Sequence, residues 1–260
     1  MKAKQNIKNI DTTTQKREVV LELFDLNKSF DDNHVLKHFN MKLFKGENLV
    51  IMGKSGSGKT VMIKCLVGLM EADSGTIRVM NKDITNLNQE SLDILRADIG
   101  FLFQGSALYD SMTVRENLEF PLRRHFKKFG KHIDTEKQVV DALESVGLAH
   151  AIDLMPVELS GGMQRRVALA RTLILQPKII LYDEPTSGLD PITAKEIIIL
   201  MQDIQKQYNT SSLIITHDVD CARVISDRMI LLIDGTNYAE GTFEELSKSK
   251  DPKIMAFFKH

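Results

Sequence analysis

The stretch Gly53-Lys54-Ser55-Gly56-Ser57-Gly58-Lys59-Thr60 has the residue types and spacing to hold a chain of phosphates. Its glycines permit backbone angles that turn successive N–H groups into one concavity, an anion nest at the start of a helix. Lys59 is placed to reach the β- and γ-phosphates of a nucleoside triphosphate, and the Thr60 hydroxyl to take a position on Mg²⁺. A flexible glycine-serine turn with a chance lysine is the plain alternative. It does not account for the apolar run Leu49-Val50-Ile51-Met52 just before, or for the helical pattern of residues 61–69 just after. The stretch implies nucleoside triphosphate binding and is silent on how the energy is used.

A second constellation is Ile179-Ile180-Leu181-Tyr182-Asp183-Glu184, which puts two carboxylates at the C-terminal end of a buried strand. In open α/β sheets that edge is where ligands bind. Asp183 suits a hydrated Mg²⁺ opposite Thr60, and Glu184 is placed to polarise an attacking water. In isolation the same pair could simply open a surface turn. A third is Leu159-Ser160-Gly161-Gly162-Met163-Gln164, where Ser160 is a good N-cap and Gly161 and Gly162 leave the first N–H groups open to an anion. A capped amphipathic helix would satisfy these residues too, with Val167, Ala170, Leu173 and Ile174 on its apolar stripe and Arg165, Arg166 and Arg171 off it. A second anion site is redundant within one chain, and makes sense if it closes over the nucleotide of another subunit. Gln104 and His217 each end an apolar strand pattern on the edge shared with Asp183, within reach of a γ-phosphate, although such residues are often structural. Phe30, just before the turn Asp31-Asp32-Asn33, reads on its own as half-buried packing.

These residues need a parallel sheet to assemble them. Strand patterns occur at residues 19–26, 35–44, 49–52, 76–80, 99–103, 178–183 and 212–216, with a final pair at 228–233 and 237–240 across Asp234-Gly235. Helical patterns at 61–69, 193–207 and 219–226 alternate with them, which implies a sheet covered on both faces. Residues 105–175 switch to helical periodicity and read as an inserted helical subdomain, and 242–260 as a helical tail. Within the insert, Arg123-Arg124-His125-Phe126-Lys127-Lys128 and Lys131 are expected to form a solvated helix face, with a membrane surface or partner loop as the other reading. Residues 1–16 are polar and expected to be a disordered lead-in.

The 260 residues suffice for one large domain, and 43% hydrophobic with 27% charged residues is ordinary soluble composition. A net charge of −1 gives no footprint for nucleic acid. Cys65 and Cys221, far apart in helical patterns, are expected to be small core residues rather than a disulfide or metal pair. The longest apolar runs are strand-length and the first 17 residues lack an apolar signal core, so the chain is expected to stay in the cytoplasm.

Taken in order, Gly53 to Thr60, Gln104, Leu159 to Gln164, Ile179 to Glu184, Ser187-Gly188-Leu189-Asp190 and His217 resemble the nucleotide-binding subunit of an ABC transporter over residues 20–241. The resemblance makes these segments the Walker A loop, Q-loop, signature, Walker B, D-loop and H-loop. It implies a P-loop NTPase, RecA-like α/β core, at 19–104 and 176–245, with an antiparallel β subdomain and the helical insert at 105–175. Residues 1–18 would be a flexible lead-in and 246–260 a C-terminal tail. It also implies ATP and Mg²⁺ as ligands, Gln104 beside Thr60 and Asp183 at the metal, Val61 among the nucleotide contacts, and Phe30 stacking on adenine instead of merely packing. Lys59, Gln104, Glu184 and His217 would carry catalysis. The signature is Leu-Ser-Gly-Gly-Met, with Gln164 one place later than the usual glutamine.

A narrower resemblance joins Leu102-Phe103-Gln104-Gly105-Ser106-Ala107-Leu108-Tyr109-Asp110-Ser111-Met112-Thr113-Val114, Leu154-Met155-Pro156, Met163 to Leu169, Asp190-Pro191-Ile192-Thr193 and the tail residues Asp251-Pro252-Lys253 and Phe257-Phe258. These look like the Mla-type ATPases, which power phospholipid movement between bacterial membranes. That implies a homodimer working with an integral membrane permease and an MCE-type lipid-binding protein, peripheral on the cytoplasmic face of the inner membrane, with no nucleic acid. Two other readings are an ABC ATPase for lipoprotein release or amino-acid import, and a non-transport ABC protein acting on ribosomes or DNA. The last usually needs two cassettes or a long coiled-coil insertion.

Overall fold

The computed structural model describes residues 17–85, 87–125 and 134–258. Apolar runs without alternation form its central strands. β3 (Asn48–Met52) and β8 (Ser211–Thr216) are buried at every position, as strands covered on both faces must be. They lie inside a six-stranded sheet ordered β10 (Thr236–Gly241), β9 (Arg228–Ile233), β3, β8, β7 (Ile179–Asp183), β6 (Ile99–Leu102). Pairing is parallel from β9 through β6, and β10 returns antiparallel across Asp234-Gly235, both at positive φ. A separate antiparallel sheet is ordered β2 (Asn33–Phe44), β1 (Val19–Phe30), β4 (Ser74–Val79), β5 (Lys82–Asp83). The α/β core with an antiparallel subdomain is therefore present.

The period-two alternation of β3 feeds two cores. Leu49 and Ile51 join Leu21, Phe39 and Leu43 of the antiparallel sheet and Met62, Ile63 and Leu66 of α1 (Lys59–Leu66). Val50 and Met52 join the other face, with Val167 and Leu169 of α5 (Gly161–Leu173), Ile197 and Met201 of α6 (Pro191–Tyr208), and Ala222 of α7 (Val219–Ile225). The chain leaves the ends of β3, β8, β7 and β6 side by side on one edge, where Lys59, His217, Asp183, Glu184 and Gln104 lie. Cys65 and Cys221 are buried and free, in the packing role expected of them.

The insert consists of α3 (Val114–Arg124), α4 (Thr135–Ser145) and α5, with short 3-10 turns at Ala149–Ala151 and Pro156–Glu158. Helix does not begin at residue 105 as its periodicity suggested. Asn117 is fully buried, and its amide donates to the carbonyls of Tyr109, Met112 and Thr113 while its oxygen accepts from the Tyr109 N–H. That side chain holds the preceding segment in an irregular path, and Thr113 with Glu116 then caps α3 reciprocally.

Other departures are local. β1 runs on to Phe30, and β5 and α2 (Gln89–Arg96), capped by Asn88, lie where no element was expected. The tail is two short helices, α8 (Phe243–Ser247) and α9 (Pro252–Phe258), because Pro252 has no N–H to continue a helix and instead opens a new one. The polar lead-in at 1–16 and the basic residues Lys127, Lys128 and Lys131 lie outside the described residues. Arg123 and Arg124 close α3, Arg123 pairing with Glu119 one turn back. Among the described residues, no helix is long and apolar enough to cross a membrane.

Candidate active site

The phosphate loop leaves β3 and enters α1. Two of its glycines are sterically required. A Cβ on Gly53 would lie 2.4 Å from Ser57 Oγ and 2.9 Å from the Leu232 carbonyl oxygen. Gly58, the N-cap of α1 at φ 103°, would place one 2.9 Å from Val35 Cγ1. The loop thus wraps tightly and keeps its inner face for a ligand. Lys59 curls back over it, its Nζ donating to the carbonyls of Gly53 at 2.6 Å and Lys54 at 3.1 Å. Burial lowers the ammonium pKa, while Glu184 and Asp183 oppose the shift. A buried ammonium that, among the described residues, is tied only to neutral carbonyls and faces two carboxylates has capacity to spare for anionic oxygen.

The carboxylates come from the end of β7. Burial raises the Asp183 pKa, the neighbouring Glu184 adds to that, and Lys59 counters it. Glu184 has left-handed backbone at φ 49°, a strained conformation for a residue with a side chain. Its N–H donates to Ile215 O at 2.8 Å, and its Oε2 meets the His217 ring Nδ1 at 2.8 Å and the His217 N–H at 3.3 Å. The histidine at the end of β8 therefore orients the carboxylate at the end of β7.

A cavity of about 770 Å³ gathers Phe30, Gly53 through Val61, Gln104, Asp183, Glu184 and His217. Thr60 and Asp183 share it, and a hydroxyl with one carboxylate is the oxygen-rich donor set that suits Mg²⁺, which keeps waters and substrate phosphates as its other ligands. Ser160, Gly161 and Gly162 do not line it. They stand at the start of α5, where Ser160 Oγ accepts from the Met163 N–H at 3.2 Å. Ser160 and Gly161 are exposed. A Cβ on Gly162 would sit 2.6 Å from Thr193 Cγ2, whereas one on Gly161 would meet nothing closer than Leu189 Cδ2 at 3.9 Å. Gly162 lets α5 pack on α6, and Gly161 keeps an open surface. Gln164 faces inward, donating to the carbonyls of Pro156 at 3.0 Å and Leu159 at 3.4 Å.

Several participants were not foreseen. Val35, Ala256 and Phe257 also line the cavity, the last two from α9. Arg165, expected off the apolar stripe, is only 4% exposed; its guanidinium donates to Phe103 O at 2.8 Å and Ser187 O at 3.2 Å. Gln104 Nε2 reaches Ser187 Oγ at 3.2 Å, so the two turns are tied twice. Arg171 likewise turns inward, donating to Ser106 O at 3.0 Å. Burial depresses both guanidinium pKa values without neutralising them.

Residues 36–187 match the family described as ABC transporter. The methionine import ATP-binding protein MetN of Clostridium tetani is 40% identical over 83% of this chain and 67% of its own. The probable ribonucleotide transport ATP-binding protein mkl of Mycobacterium leprae is 38% identical over 92% and 68% respectively. Among solved structures, the dimeric post-hydrolysis state of the ATP-binding cassette MJ0796, bound to ADP and Pi, superposes with a TM-score of 0.77 at 33% identity, covering 86% of this chain and 98% of that one. A phosphate loop, a paired carboxylate edge and a detached Ser-Gly-Gly helix start agree with that kinship, and the chain belongs to the ABC transporter family as an ATP-hydrolysing subunit.

Proposed function

We propose that this ATPase works as a homodimer that closes two composite sites and drives a membrane permease. The observation that carries the reading is the separation of Ser160, Gly161 and Gly162 from the cavity that gathers the other expected site residues. In a two-fold pair, the open N–H groups at the start of one α5 would meet the γ-phosphate held by Lys59 of the other chain. The MJ0796 cassette, caught as a dimer with ADP and Pi, supports this arrangement. Phe30 would stack on adenine, and the loop from Gly53 to Val61 would wrap the phosphates. Thr60, Asp183 and Gln104 would hold Mg²⁺, which would supply charge neutralisation across the β- and γ-phosphates. Glu184, oriented by His217, would polarise the attacking water.

For cargo, we infer phospholipid moved between bacterial membranes, with an integral permease and an MCE-type lipid-binding protein, from the cytoplasmic face of the inner membrane. The resemblance of the Leu102-to-Val114 stretch, Leu154-Met155-Pro156 and the Phe257-Phe258 tail supports it. Methionine import is the second reading, supported by the MetN relative. Affinity purification in mild detergent tests both: a co-purifying permease with bound phospholipid is expected, and a permease with a methionine-binding protein would replace the lipid reading. Sedimentation of Glu184→Gln with ATP should give a stable dimer, and adding Gly161→Asp should abolish it. A dimer that persists in the double variant would refute closure in trans.

A further inference from the structure

Phe30 ends β1, and the tip carrying it lacks a second backbone neighbour among the described residues. β1 pairs with β4 only as far as Asn27 opposite Ser74, while β2 continues beside it to Phe30 opposite Asn33. Asp73, the residue before β4, takes over where that ladder stops. Its N–H donates to Asn27 O at 2.9 Å, and its carboxylate accepts from the Ser29 N–H at 2.6 Å. The other carboxylate oxygen pairs with Lys28 Nζ, also at 2.6 Å. Asn27 Nδ2 adds a bond to Ser74 Oγ at 3.1 Å. Lys28 Nζ in turn lies 5.5 Å from the centroid of the Phe30 ring.

One carboxylate thus extends the sheet by a side chain and sets a cation against an aromatic ring. The Asp73 side chain is 42% exposed, so the pair adds little to folding stability and its consequence is geometric. Building on the assignment of Phe30 to adenine, we propose that Asp73 and Lys28 are positioning residues for the base: Asp73 fixes the strand tip and Lys28, and Lys28 braces one face of the Phe30 ring so that the other stays presented to adenine. Neither residue touches the phosphates in this arrangement, so their influence should be confined to the adenosine end of the ligand.

Calorimetric titration of the full chain with ATP and, separately, with inorganic pyrophosphate tests this. Asp73→Ala and Lys28→Met should each raise the Kd for ATP roughly two- to tenfold, the range expected of a partly lost stacking contact. The Kd for pyrophosphate should not move, which also shows that the variants fold. Lys28→Arg should retain ATP affinity, because a guanidinium can both pair and lie over the ring. In a Phe30→Ala background, neither substitution should weaken ATP binding further. Equal losses for ATP and pyrophosphate, or full additivity with Phe30→Ala, would overturn the proposal. If Phe30→Ala weakens ATP binding while Asp73→Ala and Lys28→Met do not, the positioning role fails and the adenine assignment stands. If Phe30→Ala leaves ATP binding unchanged, the adenine assignment itself falls, and the proposal with it.

Discussion

The two surfaces proposed to bind anions are built in opposite ways. The phosphate loop lies at a sheet edge, is braced by backbone on both sides, and shares its cavity with ionisable side chains from two further strands. The start of α5 sits on the helical insert, exposed at Ser160 and Gly161, lies outside that cavity, and is shaped by what is missing from Gly161. The first surface can grip a triphosphate without help. On the proposed function, the second completes a site that something else has filled. That asymmetry is what a nucleotide-dependent contact between subunits needs, because affinity between the chains then appears only when ligand is present.

The comparison is broken most severely at the carboxylate edge. Glu184→Gln keeps the hydrogen-bonding shape but not the basicity, so steady-state hydrolysis should fall by about 10²- to 10⁴-fold while ATP binding persists. A rate within a few-fold of the parent would remove Glu184 from its role. The mirror experiment mixes Gly161→Asp chains with Lys59→Ala chains. Neither should hydrolyse ATP alone, yet one composite site in the mixed dimer keeps both surfaces intact. Activity on mixing should rise at least about tenfold above either parent variant, as expected when a lost set of oxyanion donors is restored. No rise at any mixing ratio would place both surfaces in one chain's site.

Smaller effects separate the glycines from each other. Gly162→Ala forces a methyl against Thr193 and should cost about 1–3 kcal/mol of stability, read as a lowered Tm. Gly161→Ala has room and should leave Tm within about 1 °C, so any loss there will appear in ATP-dependent association instead. A reversed order of melting temperatures would contradict the packing described. The smallest change concerns Asp183. Because burial raises its pKa in the fold, the ionised form costs stability at neutral pH and the protonated form does not. Nucleotide-free Asp183→Asn should therefore melt higher than the parent at pH 7, with the gain shrinking as pH falls towards 4. A gain independent of pH would point to packing and not to charge.

Local signals make much of this legible in the sequence. The phosphate loop needs only its own glycines and flanking strand and helix, and the strand ends at Gln104, Asp183 and His217 follow from runs too apolar to be anything but central. Long-range partners were not legible. Arg165 reads as a solvent-facing arginine because the carbonyls that bury it belong to Phe103 and Ser187, far along the chain. The Arg171 partner Ser106 and the Asn117 cluster that delays α3 are hidden for the same reason. α2 escaped because its buried face is just Leu92 and Leu95, too short a stripe to show a period, although Asn88 was a fair capping signal. Phe30 was ambiguous on its own, since an exposed aromatic at a strand end has the same sequence pattern whether it packs or stacks.

The tail helix α9 runs along the ligand edge of the sheet. Lys253 pairs with Asp234 after β9, Asp251 accepts from the Tyr238 hydroxyl, and Phe257 stands in the cavity beside the phosphate loop. The whole chain contains no tryptophan. A Phe257→Trp substitution would consequently install one indole, at the mouth of the site, against a background with no other. Its emission would report nucleotide arrival and subunit closure in real time, without any dye, in a protein that is otherwise dark at those wavelengths.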